Sequence, residues 1–298
     1  MFQLAHFSDV HLGPMPTLTL RQLASKRVTG YLNWHAGRRR KHHQEGVSGA
    51  ILSAILAAQP SHVALTGDLI NLGHDSEIAA ARAWLATIGA PEFVSVVPGN
   101  HDAYVPGAFA RIYAAWQPYM QGDEPNSTGS PFPYLRIREN IALIGLSSAR
   151  ATAPFMATGY FLQPQAREAE RMLAETRGLY RVILIHHPPL RSGPLHRRLI
   201  GVRRFRDMIA RQGAELVLHG HTHLPTLHWL PGAYGPVPVV GVAAAGQAPG
   251  AVKPAAQYNL FEIEERQGNW HARLTRYGLG EGQAAIPVEQ CWLSGGAA

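Results

Sequence analysis

Apolar residues in this chain fall into two alternating patterns. Some form short continuous runs, and others recur every third or fourth position over longer stretches. The short runs at Phe2–Ser8, His62–Thr66, Phe93–Val97, Arg181–Ile185 and Leu216–His219 predict strands. Between them, Val47, Ile51, Ile55 and Leu56 set a helical spacing over Glu45–Gln59, which Pro60 closes. Helices are likewise predicted over Asp75–Ile88, Pro106–Tyr119, Pro164–Thr176 and Val202–Gln212. Tyr134–Arg138 and Ile141–Ser147 predict a hairpin turning at Glu139-Asn140, after a Gly- and Pro-rich loop at Met120–Pro133. Further strands are predicted near Thr226–Leu230, Val237–Val242, Tyr258–Glu264 and Trp270–Thr275. This is a layered α/β pattern with enough strands for two sheets packed face to face. No repeat or linker divides it. Residues 1–294 are therefore expected to form one domain, with an insertion at about 14–44 and a disordered tail at 295–298.

Composition narrows the class. Hydrophobic residues make up 46% and charged ones 16% of the 298 residues, which is a globular rather than a disordered balance. The lone cysteine, Cys291, excludes an internal disulfide framework. No apolar run approaches the roughly 18 residues of a membrane span. The start, Met1 to Phe7, has neither the basic head nor the long apolar stretch of a secretory signal, so a cytoplasmic setting is expected. Lys and Arg exceed Asp and Glu by 27 to 20, and the excess is concentrated. Residues 21–45 carry seven basic side chains (among them Arg38, Arg39, Arg40 and Lys41) against Glu45 alone. Residues 191–211 carry seven against Asp207 alone, leaving the rest of the chain net acidic. Such segments are solvated faces or anion-binding surfaces.

Candidate chemistry lies just after five of the predicted strands. In order these are Asp9-Val10-His11, Gly67-Asp68, Gly99-Asn100-His101-Asp102, His186-His187-Pro188-Pro189 and His219-Gly220-His221-Thr222-His223. Apolar strands that end in Asp, Asn and His place these groups on one rim of a sheet, where α/β proteins build sites. One such pair alone is more often hydrogen-bonded scaffold than a metal site, but five in this order are not explained by chance. Carboxylate, imidazole and an amide oxygen suit Mn, Fe or Zn. The absence of a nearby thiolate argues against an iron–sulfur cluster. The histidine excess argues against a calcium cage. Asp68 is the natural carboxylate to bridge two metals. Most other histidines (His6, His35, His62, His74, His196, His228 and His271) lack ligand spacing and read as surface or satisfied core.

The set D-x-H, G-D, G-N-H-D, H and G-H-x-H, spanning Asp9 to His223, resembles the calcineurin-like metallophosphoesterase superfamily. That resemblance implies an αββα sandwich of two mixed β-sheets flanked by helices. It implies two divalent metal ions, one held by Asp9, His11, Asp68 and His223, the other by Asp68, Asn100, His186 and His221. His186 is chosen over His187 because the family ligand matches the first histidine of its motif. It implies His101 as the catalytic proton donor to the leaving oxygen, oriented by a hydrogen bond to Asp102. Two divalent ions, less two carboxylates and a hydroxide, would leave the site at about +1, which suits an anionic phosphoester. Arg150 and His187 are candidates for substrate contact.

The implied reaction is phosphoester hydrolysis by a metal-activated hydroxide. For the substrate, the two basic segments begin near the site's rim. A helix through Thr19–His35 would gather Leu20, Leu23, Tyr31 and Trp34 on one flank, interrupted by Arg27. Leucine and aromatic residues beside arginine fit a segment lying at a lipid headgroup boundary; the competing reading is that they cap the domain's own core. A phospholipase C-like enzyme on a membrane phospholipid or lipid-linked substrate is the expectation, acting at the anionic inner face of the membrane. The alternatives are a soluble cyclic-nucleotide or glycerophosphodiester phosphodiesterase, a UDP-diacylglucosamine-type pyrophosphatase, and a non-catalytic binding protein of the same fold. Hydrolases of the UDP-diacylglucosamine type carry arginine where this chain has His101, which weakens that alternative. An intact ligand set weakens the last one. Nucleic acid is disfavoured, because repair-type nucleases of this superfamily usually add a DNA-capping domain.

Overall fold

The computed structural model describes residues 1–36, 45–125, 129–191, 193–250, 252–280 and 284–294. Six strands form the first sheet: β1 (Phe2–Phe7), β2 (His62–Leu65), β3 (Val94–Val96), β12 (Gln257–Arg266), β13 (Asn269–Leu279) and β14 (Ala285–Ser294). Their order is β14-β13-β12-β1-β2-β3, with β1, β2 and β3 parallel and the rest antiparallel. The second sheet holds β4 (Tyr134–Arg138), β5 (Ile141–Gly145), β7 (Tyr180–Leu184), β9 (Leu216–His219), β10 (Leu227–Gly232) and β11 (Gly235–Gly241). Its order is β10-β11-β9-β7-β5-β4, with a parallel centre and an antiparallel strand at each edge. A short parallel pair, β6 (Gly159–Tyr160) with β8 (Leu199–Ile200), stands apart.

Strand periodicity explains the layering. In β7, Val182 and Leu184 enter the core between the sheets, while Ile183 and the following Ile185 enter a second core. Leu216 and Leu218 against Val217 do the same in β9. A strand apolar on both faces must be covered on both. Helices α6 (Gln163–Glu175) and α7 (Val202–Gln212) cover the outer face through Ala169, Leu173, Phe205 and Ile209. On the other side, α3 (Glu45–Ala57), α4 (Asp75–Ile88) and α5 (Ala108–Trp116) contribute Ile51, Ile55, Leu85 and Trp116 to the core of the first sheet. The result is the expected αββα sandwich. The parallel strands β1, β2, β3, β7 and β9 all end at one rim.

The insertion after β1 departs from the single helix expected over Thr19–His35. It breaks into α1 (Leu20–Leu23) and α2 (Arg27–Ala36). Ser25 causes the break: its hydroxyl donates to the Gln22 carbonyl at 2.6 Å and accepts from the Arg27 backbone N–H. The apolar flank is split as a result. Tyr31 packs with Leu72 and Tyr104, while Leu20 is 87% exposed. Arg27, which interrupted that flank, docks the insertion by donating to the carbonyls of Leu72 and Gly73. Gly30 makes the approach possible, since a Cβ there would lie 2.5 Å from Leu72 and 2.7 Å from the Tyr104 hydroxyl. The basic run Arg38, Arg39, Arg40 and Lys41, and the tail at 295–298, lie outside the described residues.

Arg136, on the edge strand β4, pins the two sheets together. Its buried guanidinium donates to four carbonyls: Gln121, Pro91, Val94 and Pro118. Arg136→Met would leave those acceptors desolvated, and a loss of about 3 kcal/mol in folding stability is expected. A urea midpoint unchanged from wild type would show that water takes over the four bonds.

Candidate metal centre

The loops that leave the parallel strands turn sharply. Asp9, His11, Asp68, His221 and His223 all lie in left-handed backbone, with φ of 55°, 49°, 54°, 65° and 57°. That region costs a non-glycine residue of order 1 kcal/mol or more, and it concentrates where surrounding contacts impose it. Here the contacts are backbone bonds between loops. Asp9 N–H donates to the Gly67 carbonyl and His11 N–H to the Asp68 carbonyl, each at 3.0 Å. His221 N–H donates to Asp9 Oδ2, also at 3.0 Å. At Gly99 a Cβ would lie 2.2 Å from Asp68 Oδ1, so only glycine lets the two loops meet.

The seven residues implied as ligands come together at this rim. His223 Nε2 lies 3.1 Å from Asp9 Oδ1, and His11 Nε2 lies 3.9 Å from Asp68 Oδ2. His186 Nε2 lies 3.4 Å from Asp68 Oδ2 and 3.3 Å from Asn100 Oδ1. Four overlapping triads have their ligand atoms within 4.8 Å of one another: Asp9/His11/His223, His11/Asp68/His101, Asp9/Asp68/His186 and His186/His187/His221. The second nitrogen of three of these rings is fixed by a backbone carbonyl. His186 Nδ1 donates to Thr66 at 2.7 Å, His221 Nε2 to Arg197 at 3.0 Å, and His11 Nδ1 sits 3.4 Å from Ile70. Such bonds set the tautomer and aim the other nitrogen.

This donor set fits divalent cations. When His186 is neutral, with its one proton on Nδ1, its Nε2 lone pair faces a carboxylate oxygen and an amide oxygen. Three acceptors facing one another repel unless positive charge stands among them. Without a metal ion, a proton on the ring supplies that charge. Burial opposes charge on His186, yet Asp68 and Asp9 pull it up to about 9. Burial opposes charge on Asp68 and Asp9 too, but the histidines, His186 and His223 foremost, hold both below the usual carboxylate range. Burial drives His221 down to about 3, so its ring is neutral.

Asp102 corrects one expectation. It does not bond His101. Its Oδ2 accepts from the backbone N–H groups of Asp68 and Gly99, and its Oδ1 from those of Leu69 and Ile70. Those four donors hold its charge against burial and the nearby Asp68, which push its carboxyl up to about 7. Asp102 therefore braces the loop that carries Asp68. His101 is oriented instead by Nδ1 donating to the Asn71 carbonyl at 2.7 Å, with its ring stacked on Tyr104. Its Nδ1 proton is thereby committed to a backbone acceptor.

The two substrate candidates also move. His187 is fully buried, with Nδ1 at 2.8 Å from the Ser148 hydroxyl and Nε2 at 3.1 Å from the Ala157 carbonyl, so neither nitrogen is left to meet a substrate. Arg150 lies over the Tyr160 ring at 5.0 Å and lines a separate hollow. The cleft above the converging Asp, Asn and His residues, about 650 Å³, is lined instead by Lys26, Arg197 and Lys253. His196, read from its spacing as surface or core, also lines it. Lys26 donates to the Thr152 hydroxyl at 2.7 Å and the Met156 carbonyl at 2.9 Å. Burial lowers its ammonium to about 8 while Asp68 pulls the other way. Lys26 and Arg197 belong to the two basic segments, whereas nothing in the sequence marks Lys253.

Asp102→Asn turns an amide N–H toward at least one of the backbone donors. It is expected to cost about 2–4 kcal/mol of stability and to weaken divalent-metal binding, read by denaturant midpoint and calorimetric titration. A variant with unchanged stability and only a shifted pH–rate profile would return Asp102 to the role of orienting His101.

Comparison with known proteins places this geometry. The family model described as calcineurin-like phosphoesterase matches residues 2–225. The chain is 24% identical over 236 residues to the glycerophosphodiester phosphodiesterase GpdQ of Enterobacter lignolyticus, covering 75% of this chain and 72% of that protein. Among solved structures, the purple acid phosphatase PPD1 from yellow lupin superposes with a TM-score of 0.54 at 12% identity over 95% of this chain. The sulfate thiohydrolase SoxB of Thermus thermophilus superposes with a TM-score of 0.52 at 16% identity over 96%. The chain spans about half the length of those two, 52% and 56% respectively. With its whole motif-bearing part matched and clusters of Asp and His that could hold metal ions gathered at one rim, the chain belongs to the calcineurin-like phosphoesterase family and is a hydrolase of phosphoester bonds.

Proposed function

We propose that the chain is a phosphodiesterase acting on a membrane phospholipid or lipid-linked substrate, in the manner of a phospholipase C. One observation carries the reading: the cleft joins cations to exposed apolar side chains. Lys26, Arg197 and Lys253 share it with Leu32, Phe155 and Met156, of which Phe155 is 83% and Leu32 58% exposed. A cleft for a small hydrophilic diester has no need of apolar groups held in water at its mouth, whereas an amphiphile at a bilayer surface would cover them. In this reading residues 1–294 work as one unit, and the insertion at about 14–44 makes peripheral contact with an anionic membrane surface. No helix among the described residues is long and apolar enough to cross a membrane.

Asp9, His11, Asp68 and His223 would hold one divalent cation, and Asp68, Asn100, His186 and His221 a second, with Mn, Fe or Zn all suited to the donors. Bound there, such ions lower the pKa of water and neutralise phosphoryl charge. The chain's own residues do the rest. His101, its Nδ1 proton committed to Asn71, gives a proton from Nε2 to the leaving oxygen. Tyr104 keeps the ring from rotating by stacking on it. Lys26, over the Tyr104 ring, and Arg197 offer positive charge to the phosphate's outer oxygens from the cleft's lining. A second reading, a soluble glycerophosphodiesterase, is favoured by the likeness to GpdQ, whose name carries that activity.

Hydrolysis of bis-p-nitrophenyl phosphate and of phospholipid vesicles, with manganese and with chelator, separates the two readings. The lipid reading expects both activities, the second rising on anionic vesicles. Hydrolysis of the small diester and of glycerophosphodiesters alone would favour the soluble enzyme. For His101→Ala, metal content is expected to stay near wild type while kcat falls about 10²-fold or more. An unchanged kcat would remove His101 as the proton donor.

A further inference from the structure

Beside the cleft lies a second hollow of about 640 Å³, within the roughly 300–1,000 Å³ of pockets that hold small ligands. Its walls are mostly apolar: Phe109 from α5, Pro131 and Phe132 before β4, Tyr160 in β6, and Leu162 ahead of α6. It adjoins the site closely. Ala103 on its wall follows Asp102, and Ser147 and Ala149 flank the Ser148 that holds His187. The segment 149–157 borders both cavities. Ala149, Arg150 and Ala151 face the hollow, while Phe155, Met156 and Ala157 face the cleft.

Two features indicate what the hollow receives. Leu162 is the N-cap of α6, where Ser, Thr, Asp or Asn would satisfy a backbone N–H, and it makes no side-chain cap bond. It is also 51% exposed. A leucine here forgoes a cap and adds half-exposed apolar surface to the lining of the hollow. The second feature is charge. Glu168, the wall's carboxylate, is gripped by Arg171, whereas Arg150 pairs with no acid among the described residues and rests on Tyr160. The hollow is thus an apolar slot with one cation at its edge.

We propose that this hollow is an alkyl-chain subsite: it takes the chain of an anionic amphiphilic substrate whose phosphoester lies in the neighbouring metal cleft, with Arg150 lending positive charge at the edge of the hollow. The proposal rests on the lipid reading above and adds to it a specific place for the apolar half of the substrate.

The test uses p-nitrophenyl alkyl phosphates of four, eight and twelve carbons, below their micelle concentrations, with the manganese-loaded full chain. KM is expected to fall with chain length, by up to about fourfold per buried methylene. Leu162→Asp keeps the fold, because aspartate is a better N-cap than leucine, so its melting temperature should equal or exceed that of wild type. In this variant the dependence of KM on chain length should be flattened. A metal-free readout runs in parallel: an eleven-carbon dansyl fatty acid should fluoresce on binding wild type, and Leu162→Asp or Arg150→Glu should abolish that binding. A KM independent of chain length in wild type, or a chain-length dependence intact in folded Leu162→Asp, would overturn the proposal. If no phosphodiester is hydrolysed, the activity reading fails instead, and probe binding alone then decides the hollow, its absence overturning the subsite.

Discussion

Two buried carboxylates and a ring of imidazoles converge at the rim of this sandwich, and that convergence governs the structure around it. Asp9 and Asp68 are shielded from water, where a lone carboxylate charge is costly. Histidines answer the charge from several directions, with His223 at 3.1 Å from Asp9 and His186 at 3.4 Å from Asp68. Fixed by Thr66, His186 also faces the Asn100 amide oxygen, so acceptors meet acceptors at the centre. An arrangement of this kind is stable with positive charge in its midst. A proton held on His186 by Asp68 and Asp9, and a divalent cation, are alternative ways of providing it.

The rest of the fold holds that convergence in place. Parallel strands from both sheets end at the same rim, which alone brings Asp9 and Asp68 of one sheet against His186, His221 and His223 of the other. Five of the converging residues take left-handed backbone, and loop-to-loop bonds impose it. Asp102 collects four backbone N–H groups and so fixes the turn that presents Asp68. Arg136 and the two apolar cores keep the sheets in register beneath. Strain at the rim is thereby balanced by the layers below it.

Much of this was legible in the chain. Short apolar runs ending in Asp, Asn and His located both the strands and the rim, because a strand's last residues and its ligands are adjacent in sequence. α4 and α7 were predicted with the bounds they have. What escaped the sequence depends on tertiary placement. The strand β14 is mostly exposed, and Pro287, Glu289 and Gln290 interrupt its apolar residues, so its pairing with β13 is not marked by a clear strand pattern. Asp102 stands beside His101 in sequence yet turns to backbone donors that no motif records. Arg150 follows a strand of the second sheet as a ligand would, but its loop bends it onto Tyr160. Lys253 reaches the cleft from a loop that is remote in sequence from every motif. The insertion's apolar residues proved divided between capping the fold and lining the cleft, which periodicity across a broken helix cannot resolve.

The most direct measurement is the divalent-metal content of the purified chain, by mass spectrometry after manganese loading and dialysis, compared with that of Asp68→Ala. If the converging acceptors form a paired-cation centre with Asp68 shared between its halves, wild type holds about two ions per chain and the variant loses both. Retention of two ions by folded Asp68→Ala, or a wild type that binds none, would contradict it.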